Sequence, residues 1–150
     1  MSKVISKTCA VIDYGMGNLH SAHGALQKAA PNCNILVTSD PAQILAADHV
    51  VLPGVGAIRD CMGEIRAQGI DQVVAEVAKT KPLLGICVGL QAMMTRSEEN
   101  GGVDGLDMFS GQVRYFGDQL LGDQIKDGTS ERLKVPQMGW NQVEQIAHPL

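Results

Sequence analysis

The sequence predicts an α/β fold, a three-layer sandwich whose mostly parallel central sheet is covered by helices on both faces. Two observations predict it. Over the first two-thirds of the 150 residues, short β-type apolar runs alternate with stretches whose apolar residues recur at helical spacing. Strands joined through helices run parallel and need cover on both faces. The composition, 45% hydrophobic and 19% charged, is that of an ordinary globular protein. One domain over residues 1–150 is expected, long enough to bury roughly two-thirds of its unfolded surface. Aromatics make up only 3%, so aliphatic residues and Met must fill the core.

Each element has its own signal. Thr8–Ile12 is an apolar strand ending at Asp13, and Tyr14-Gly-Met-Gly-Asn18 is a loop. Leu19, Ala22, Leu26 and Ala29 then recur at helical spacing until Pro31 stops the helix. Ile35–Val37 is a second strand. Ser39-Asp40-Pro41 reads as a helix start, a capping side chain before proline. His49–Leu52 is a third strand, closed by a Pro53-Gly-Val-Gly56 turn. Ile58, Cys61, Met62 and Ile65 mark one helix, and Ile70, Val73, Val74 and Val77 another. Pro82–Ile86 is a fourth strand, followed by a helix from near Val88. Beyond Arg96 the pattern is less regular. Ser97–Leu106 is polar and Gly-rich, Gly111–Phe116 and Leu133–Val135 are β-like, and Gly117–Arg132 reads as an exposed polar excursion.

Several function classes are excluded early. Net charge is 12 − 16 = −4 with no basic run, a poor match for nucleic acid. Leu83–Met94, the longest apolar-rich run, falls short of the roughly 18 residues of a membrane span. Thr8–Ile12 is too short for a signal-peptide core. Cys9, Cys33, Cys61 and Cys87 form no C-x-x-C pair, so neither a disulfide framework nor a zinc site is expected. A cytoplasmic protein with reduced thiols follows. Gly15-Met-Gly17 is a poor dinucleotide fingerprint. Its third glycine would fall at His20, and no acidic residue ends the second strand. No cofactor is expected.

Gly85-Ile-Cys-Val-Gly89 is the most informative stretch. It reads G-x-C-x-G directly after an apolar strand and before a helix, the arrangement of a nucleophile elbow with Cys in place of Ser. The glycines suit a turn too tight for flanking side chains. A thiol there stands clear of the sheet at the positive end of a helix, which favours thiolate over thiol. Free helix N–H groups there can stabilise an oxyanion. The competing reading, a buried structural cysteine, suits Cys9, Cys33 and Cys61 better than Cys87. Gln91 shares a helix face with Cys87, and is either a substrate contact or a capping glutamine. Pro53–Gly56 is either a tight turn or a loop whose backbone N–H turns toward a ligand. Strand ends are where ligands sit in such sheets, which groups Asp13–Asn18, Pro53–Gly56 and Cys87.

Gly85-Ile-Cys-Val-Gly-Leu-Gln91 resembles the nucleophile motif of class I (triad-type) glutamine amidotransferases, whose fold is flavodoxin-like. Three further segments join it: Ile12-Asp-Tyr-Gly-Met-Gly-Asn-Leu19, Pro53-Gly-Val-Gly-Ala57 and Pro136-Gln-Met-Gly-Trp-Asn141. Together they resemble, within that class, the glutaminase subunits of imidazole glycerol phosphate synthases, over essentially all 150 residues. The elbow alone specifies only the class; the four segments together are specific.

The resemblance implies that Cys87 attacks the side-chain amide of glutamine. The backbone N–H groups of Val88 and, after a peptide reorientation, Val55 would hold the oxyanion. Gly54, Gly56 and Gln91 would help hold the substrate. Ammonia would pass to a (β/α)₈-barrel cyclase subunit making imidazole glycerol phosphate and an aminoimidazole carboxamide ribotide in histidine biosynthesis. Asn18, Met138, Trp140 and Asn141 would lie toward that partner. Trp140 is the only tryptophan, and an exposed aromatic suits an interface; core packing is its alternative. Gln137 stands where the family more often has histidine. The family's catalytic base and acid are a His and a Glu well downstream of Gly139-Trp-Asn141. The sequence ends at Leu150, and neither residue is found. His20 and His23 read as surface or capping histidines, His49 opens a strand on the far side, and His148 reads as a loop histidine. On this reading the 150-residue chain is inactive alone. Two other readings are a partner-binding module without catalysis and a Cys-elbow hydrolase of dienelactone type. The second would need an Asp and a His after the nucleophile, an order that Asp104, Asp107 and His148 meet formally.

Overall fold

A computed structural model describes residues 7–115 and, further on, 140, 142, 144, 146 and 147. The chain divides into two units, Met1–Arg114 and Tyr115–Leu150. The first carries every described helix and strand. Four strands, β1 (Thr8–Ile12), β2 (Asn34–Thr38), β3 (His49–Gly54) and β4 (Leu83–Cys87), form a parallel sheet in the order β2-β1-β3-β4.

Helices cover both faces of that sheet. On one face lies α1 (Leu19–Ala29), whose Leu19, Ala22 and Leu26 pack on Cys9, Val11 and Val51. On the other lie α2 (Pro41–Ala46), α3 (Ile58–Ala67) and α4 (Ile70–Thr80). Their inner stripes, Ile44, then Ile58, Cys61, Met62 and Ile65, then Ile70, Val73, Val74 and Val77, pack on Ile12, Val50 and Leu52 to form the main core. Adjacent strand residues point to opposite faces, so Val51 serves one layer while Val50 and Leu52 serve the other.

The helix ends follow local rules. Asn18 caps α1, its Oδ1 accepting from the Ser21 N–H at 3.2 Å. Asp40 caps α2, its Oδ1 accepting from the Ala42 N–H at 2.8 Å, with Pro41 opening the helix.

The structure differs from the sequence-based expectation in three places. Pro53 and Gly54 belong to β3 rather than to the turn after it, pairing with Ile86 and Cys87. β1 pairs with β3 only through Val51. Beyond that point β1 no longer pairs with β3, and a proline without an N–H is tolerated there. The helix after the elbow, α5 (Val88–Ala92), has five residues, and the chain returns at once as β5 (Met94–Ser97). A second sheet then forms, in the order β6 (Val103–Asp104), β5, β7 (Phe109–Val113). It is mixed, antiparallel between β5 and β6 and parallel between β5 and β7. The third difference is β7 itself, which begins two residues before the expected Gly111 and ends at Val113. Leu133–Val135 and Gly117–Arg132 lie outside the described residues. Among the described residues no helix is long and apolar enough to cross a membrane.

Candidate active site

β4 delivers Cys87 to the carboxyl end of the sheet, where the chain turns from strand to helix within one residue. The turn places Cys87 at φ 55, ψ −119, a conformation costly for any residue with a Cβ. Its side chain is exposed. The neighbouring glycines are required by close backbone approach. A Cβ on Gly89 would lie 2.0 Å from the Leu52 carbonyl oxygen, and one on Gly85 2.7 Å from the Leu90 Cα. The elbow therefore sits against β3 backbone to backbone, with nothing but hydrogen to spare. The five-residue α5 offers Cys87 free N–H groups rather than a sizeable macrodipole.

The backbone strain at Cys87 has a measurable consequence. Cys87→Gly should raise the unfolding free energy by about 1–3 kcal/mol, because glycine adopts this conformation without the penalty. The check is a urea titration, in which the midpoint rises with the slope unchanged. A lowered midpoint would mean that the strain is absent.

β3 brings the second component. Gly54 is the register partner of Cys87, so their backbones are neighbours at the usual spacing of about 5 Å. A Cβ on Gly54 would meet the Gly89 nitrogen at 2.5 Å, which leaves only glycine there. Val55 follows, 42% exposed, and then Gly56 at φ +84. The loop after β1 supplies the third component. Tyr14 is 1% exposed, and its hydroxyl donates to the Pro53 carbonyl at 2.8 Å. Gly17 lies against the Pro53 ring, with a virtual Cβ 3.1 Å from its Cγ. Three strand ends that are far apart in sequence thus converge.

Gln91 is half-buried one turn after Cys87, and Val88 is buried. Asn18 is exposed, with its side chain engaged as the α1 cap. Trp140 is exposed. Met138, Asn141, Gln137 and His148 lie outside the described residues. His20 and His23 ride on α1 and His49 opens β3 at its amino end, opposite to the strand ends that carry Cys87. Among the described residues no group of three or more His, Cys, Asp or Glu side chains is placed to hold a metal.

Two buried residues were not singled out from the sequence as part of this site. Tyr14 looked like a loop residue and Cys61 like an ordinary member of a helical stripe. Both contact the Pro53–Val55 segment. Cys61 is 0% exposed, and its thiol donates to the Val55 carbonyl at 3.2 Å. No sequence signal would have found them, because the contact joins residues of different elements. Burial raises the pKa of both groups above their ordinary values. At neutral pH each therefore keeps its proton and acts as a donor.

Comparison with known proteins places this geometry. Residues 10–146 match the family described as glutamine amidotransferase class-I. Imidazole glycerol phosphate synthase subunit HisH 1 of Pseudomonas aeruginosa is 57% identical over 145 residues, 96% of this chain and 65% of that protein. Imidazole glycerol phosphate synthase subunit HisH of Methylococcus capsulatus is 52% identical over 143 residues, 94% of this chain and 64% of that protein. The chain thus spans about 65% of the length of the curated relatives it matches. A solved structure from Listeria monocytogenes EGD-e, named for peptidase E, covers 73% of this chain and 66% of its own, at a TM-score of 0.50 and 18% identity. At that identity the likeness is one of fold.

Proposed function

Because the chain belongs to the class I glutamine amidotransferase family, we propose that it carries the nucleophile half of a glutaminase, the ammonia-producing subunit of an imidazole glycerol phosphate synthase. The observation that carries the proposal is Cys87, exposed on a strained strand-to-helix turn beside the Gly54–Val55 backbone. The names of the relatives, each a synthase subunit, support the choice within the family.

The geometry supports the following chemistry. The Cys87 sulfur, as thiolate, adds to the δ-carbonyl carbon of glutamine, forming an S–C bond and placing negative charge on the carbonyl oxygen. The N–H groups of Val88 and, after a reorientation of its peptide, Val55 would be the donors for that charge. Collapse breaks the C–N bond, and the nitrogen leaves as ammonia after taking up a proton. Water then hydrolyses the glutamyl thioester to glutamate and regenerates the thiol. By likeness to the family, Gly54, Gly56 and Gln91 would help hold the substrate. The base and its carboxylate are taken, by likeness to the family, from a His and a Glu beyond segment 138–141. The partner that receives ammonia would be a (β/α)₈-barrel cyclase in the cytoplasm, with Asn18, Met138, Trp140 and Asn141 toward it. The proposed domain assignment is one amidotransferase domain over residues 1–150.

A hydrolase of the dienelactone type would need a free carboxylate after the elbow. Of the two candidates, Asp104 is paired with Arg96, Nη1 lying 2.8 Å from its Oδ1, which leaves Asp107 as the carboxylate that reading would need. For the glutaminase, Cys87→Ala in the full-length protein assembled with its synthase partner should lower glutamate release at least 10³-fold. Full glutamine turnover by that variant would overturn the proposal. Ester hydrolysis without glutamine hydrolysis would return the reading to the dienelactone type.

A further inference from the structure

We propose that the cavity between α3, α4 and the β6–β7 connection is a binding site for an α-amino acid with an apolar side chain. Arg66 takes its carboxylate, Asp71 its ammonium group, and Ala75, Leu106 and Met108 its side chain. None of these residues belongs to the site around Cys87, and the inference does not depend on the glutaminase reading above.

Two opposite charges share this cavity without neutralising each other. It has a volume of about 320 Å³ and is lined by Arg66, near the end of α3, by Asp71, in the first turn of α4, and by Ala75, Leu106 and Met108. That volume is at the small end of the range for small-molecule sites. Arg66 and Asp71 form no ion pair with each other; among the described residues the ion pairs are Lys79–Glu76 and Arg96–Asp104. A cation and an anion that line one cavity beyond ion-pair distance leave room for a ligand bearing both signs.

Each charged group has bonding capacity left over. The buried Oδ1 of Asp71 has no hydrogen-bond partner among the described residues, which is costly for a carboxylate oxygen shut away from water. Turning the carboxylate about its Cβ–Cγ bond, a torsion with broad freedom, lets that oxygen accept from an ammonium group in the cavity. Arg66 is held by its Nη2, which donates to the Asp104 carbonyl at 2.9 Å and lies 3.5 Å from the Gly105 carbonyl. A guanidinium carries five N–H donors, and those on Nε and Nη1 have no partner among the described residues. Two such donors in one plane match a carboxylate. Leu106 and Met108 are partly buried against the main core and, with Ala75, offer an apolar surface to an uncharged side chain. A simple anion would meet repulsion from Asp71 and a simple cation repulsion from Arg66, so a zwitterion is selected over both.

The probes are L-leucine, L-methionine and L-phenylalanine, titrated by calorimetry into the full-length protein. At least one should bind saturably, and its binding should survive alkylation of Cys87, which separates this cavity from the candidate active site. The N-acetyl derivative of that amino acid keeps only the carboxylate and its amide keeps only the ammonium group. Each should bind at least about tenfold more weakly, the worth of one charge-assisted hydrogen bond. Asp71→Asn and Arg66→Gln should each weaken binding of the parent amino acid by a similar factor. Absence of saturable binding by all three probes overturns the inference. So does binding that Asp71→Asn leaves within twofold of the parent protein, or equal binding of the N-acetyl derivative. Arg66 also holds the Asp104 carbonyl, so the isosteric Asp71→Asn keeps the test decisive if Arg66→Gln fails to fold. Glutamine turnover plays no part in these readings, so failure of the glutaminase proposal is distinguishable from failure of this one.

Discussion

Gly89→Ala should destabilise the protein by about 3 kcal/mol or more, beyond the usual range for overpacking. The added methyl would sit 2.0 Å from the Leu52 carbonyl oxygen and 2.9 Å from its carbon. Both atoms are backbone, so no rotamer change relieves the clash; β3 and α5 must separate. Leu52 is fully buried in the main core, and a shift of its strand disturbs the packing around it. The expected readout is a large fall in the urea midpoint at unchanged slope, or a chain recovered only in aggregates. Gly63→Ala is the matched control. Gly63 lies inside α3 with open space around its virtual Cβ, and alanine there should add about 0.5–1 kcal/mol. If Gly89→Ala remained within 0.5 kcal/mol of the parent, the contact between the elbow and β3 would be wrong.

Ile65→Ala should cost about 2–5 kcal/mol through lost transfer energy and the cavity left behind. Ile65 is 0% exposed on α3 and packs in the main core with Ile58, Cys61 and Met62 of the same helix. For a chain of this size the melting temperature should fall by about 10 °C. Leu90→Ala, at a side chain 49% exposed, should cost under about 1 kcal/mol by the area it uncovers. Equal losses from the two variants, in differential scanning calorimetry, would show that α3 is not docked as described.

These two positions mark how far the sequence could be read. The Ile58, Cys61, Met62 and Ile65 stripe was legible because helical periodicity is a local signal, and the structure buries all four. The Asp40–Pro41 helix start and the β1, β2 and β4 strands were legible for the same reason. Gly85 and Gly89 were legible as a pair around Cys87, since a tight turn leaves its mark within five residues. The second sheet was not. β5 follows α5 directly and its one apolar residue, Met94, ends the run from Leu83, so periodicity offers no boundary between helix and strand. The extension of β3 through Pro53 and Gly54 was hidden by residue types that ordinarily signal a turn. Only the missing β1 pairing beyond Val51 makes a proline acceptable there.

The sequence by itself determined the layer architecture, the place of Cys87 on a strand-to-helix turn and the family to which its motifs are similar. All of these are written in spacings of a few residues. The tertiary structure alone decided that Gly54 faces Cys87, that Gly89 rests on the Leu52 carbonyl, and that Tyr14 and Cys61 donate to the carbonyls of Pro53 and Val55. Those contacts join residues 6 to 39 positions apart. They depend on strand register and on helix α3 docking against the sheet, neither of which is encoded in any single local run of residues.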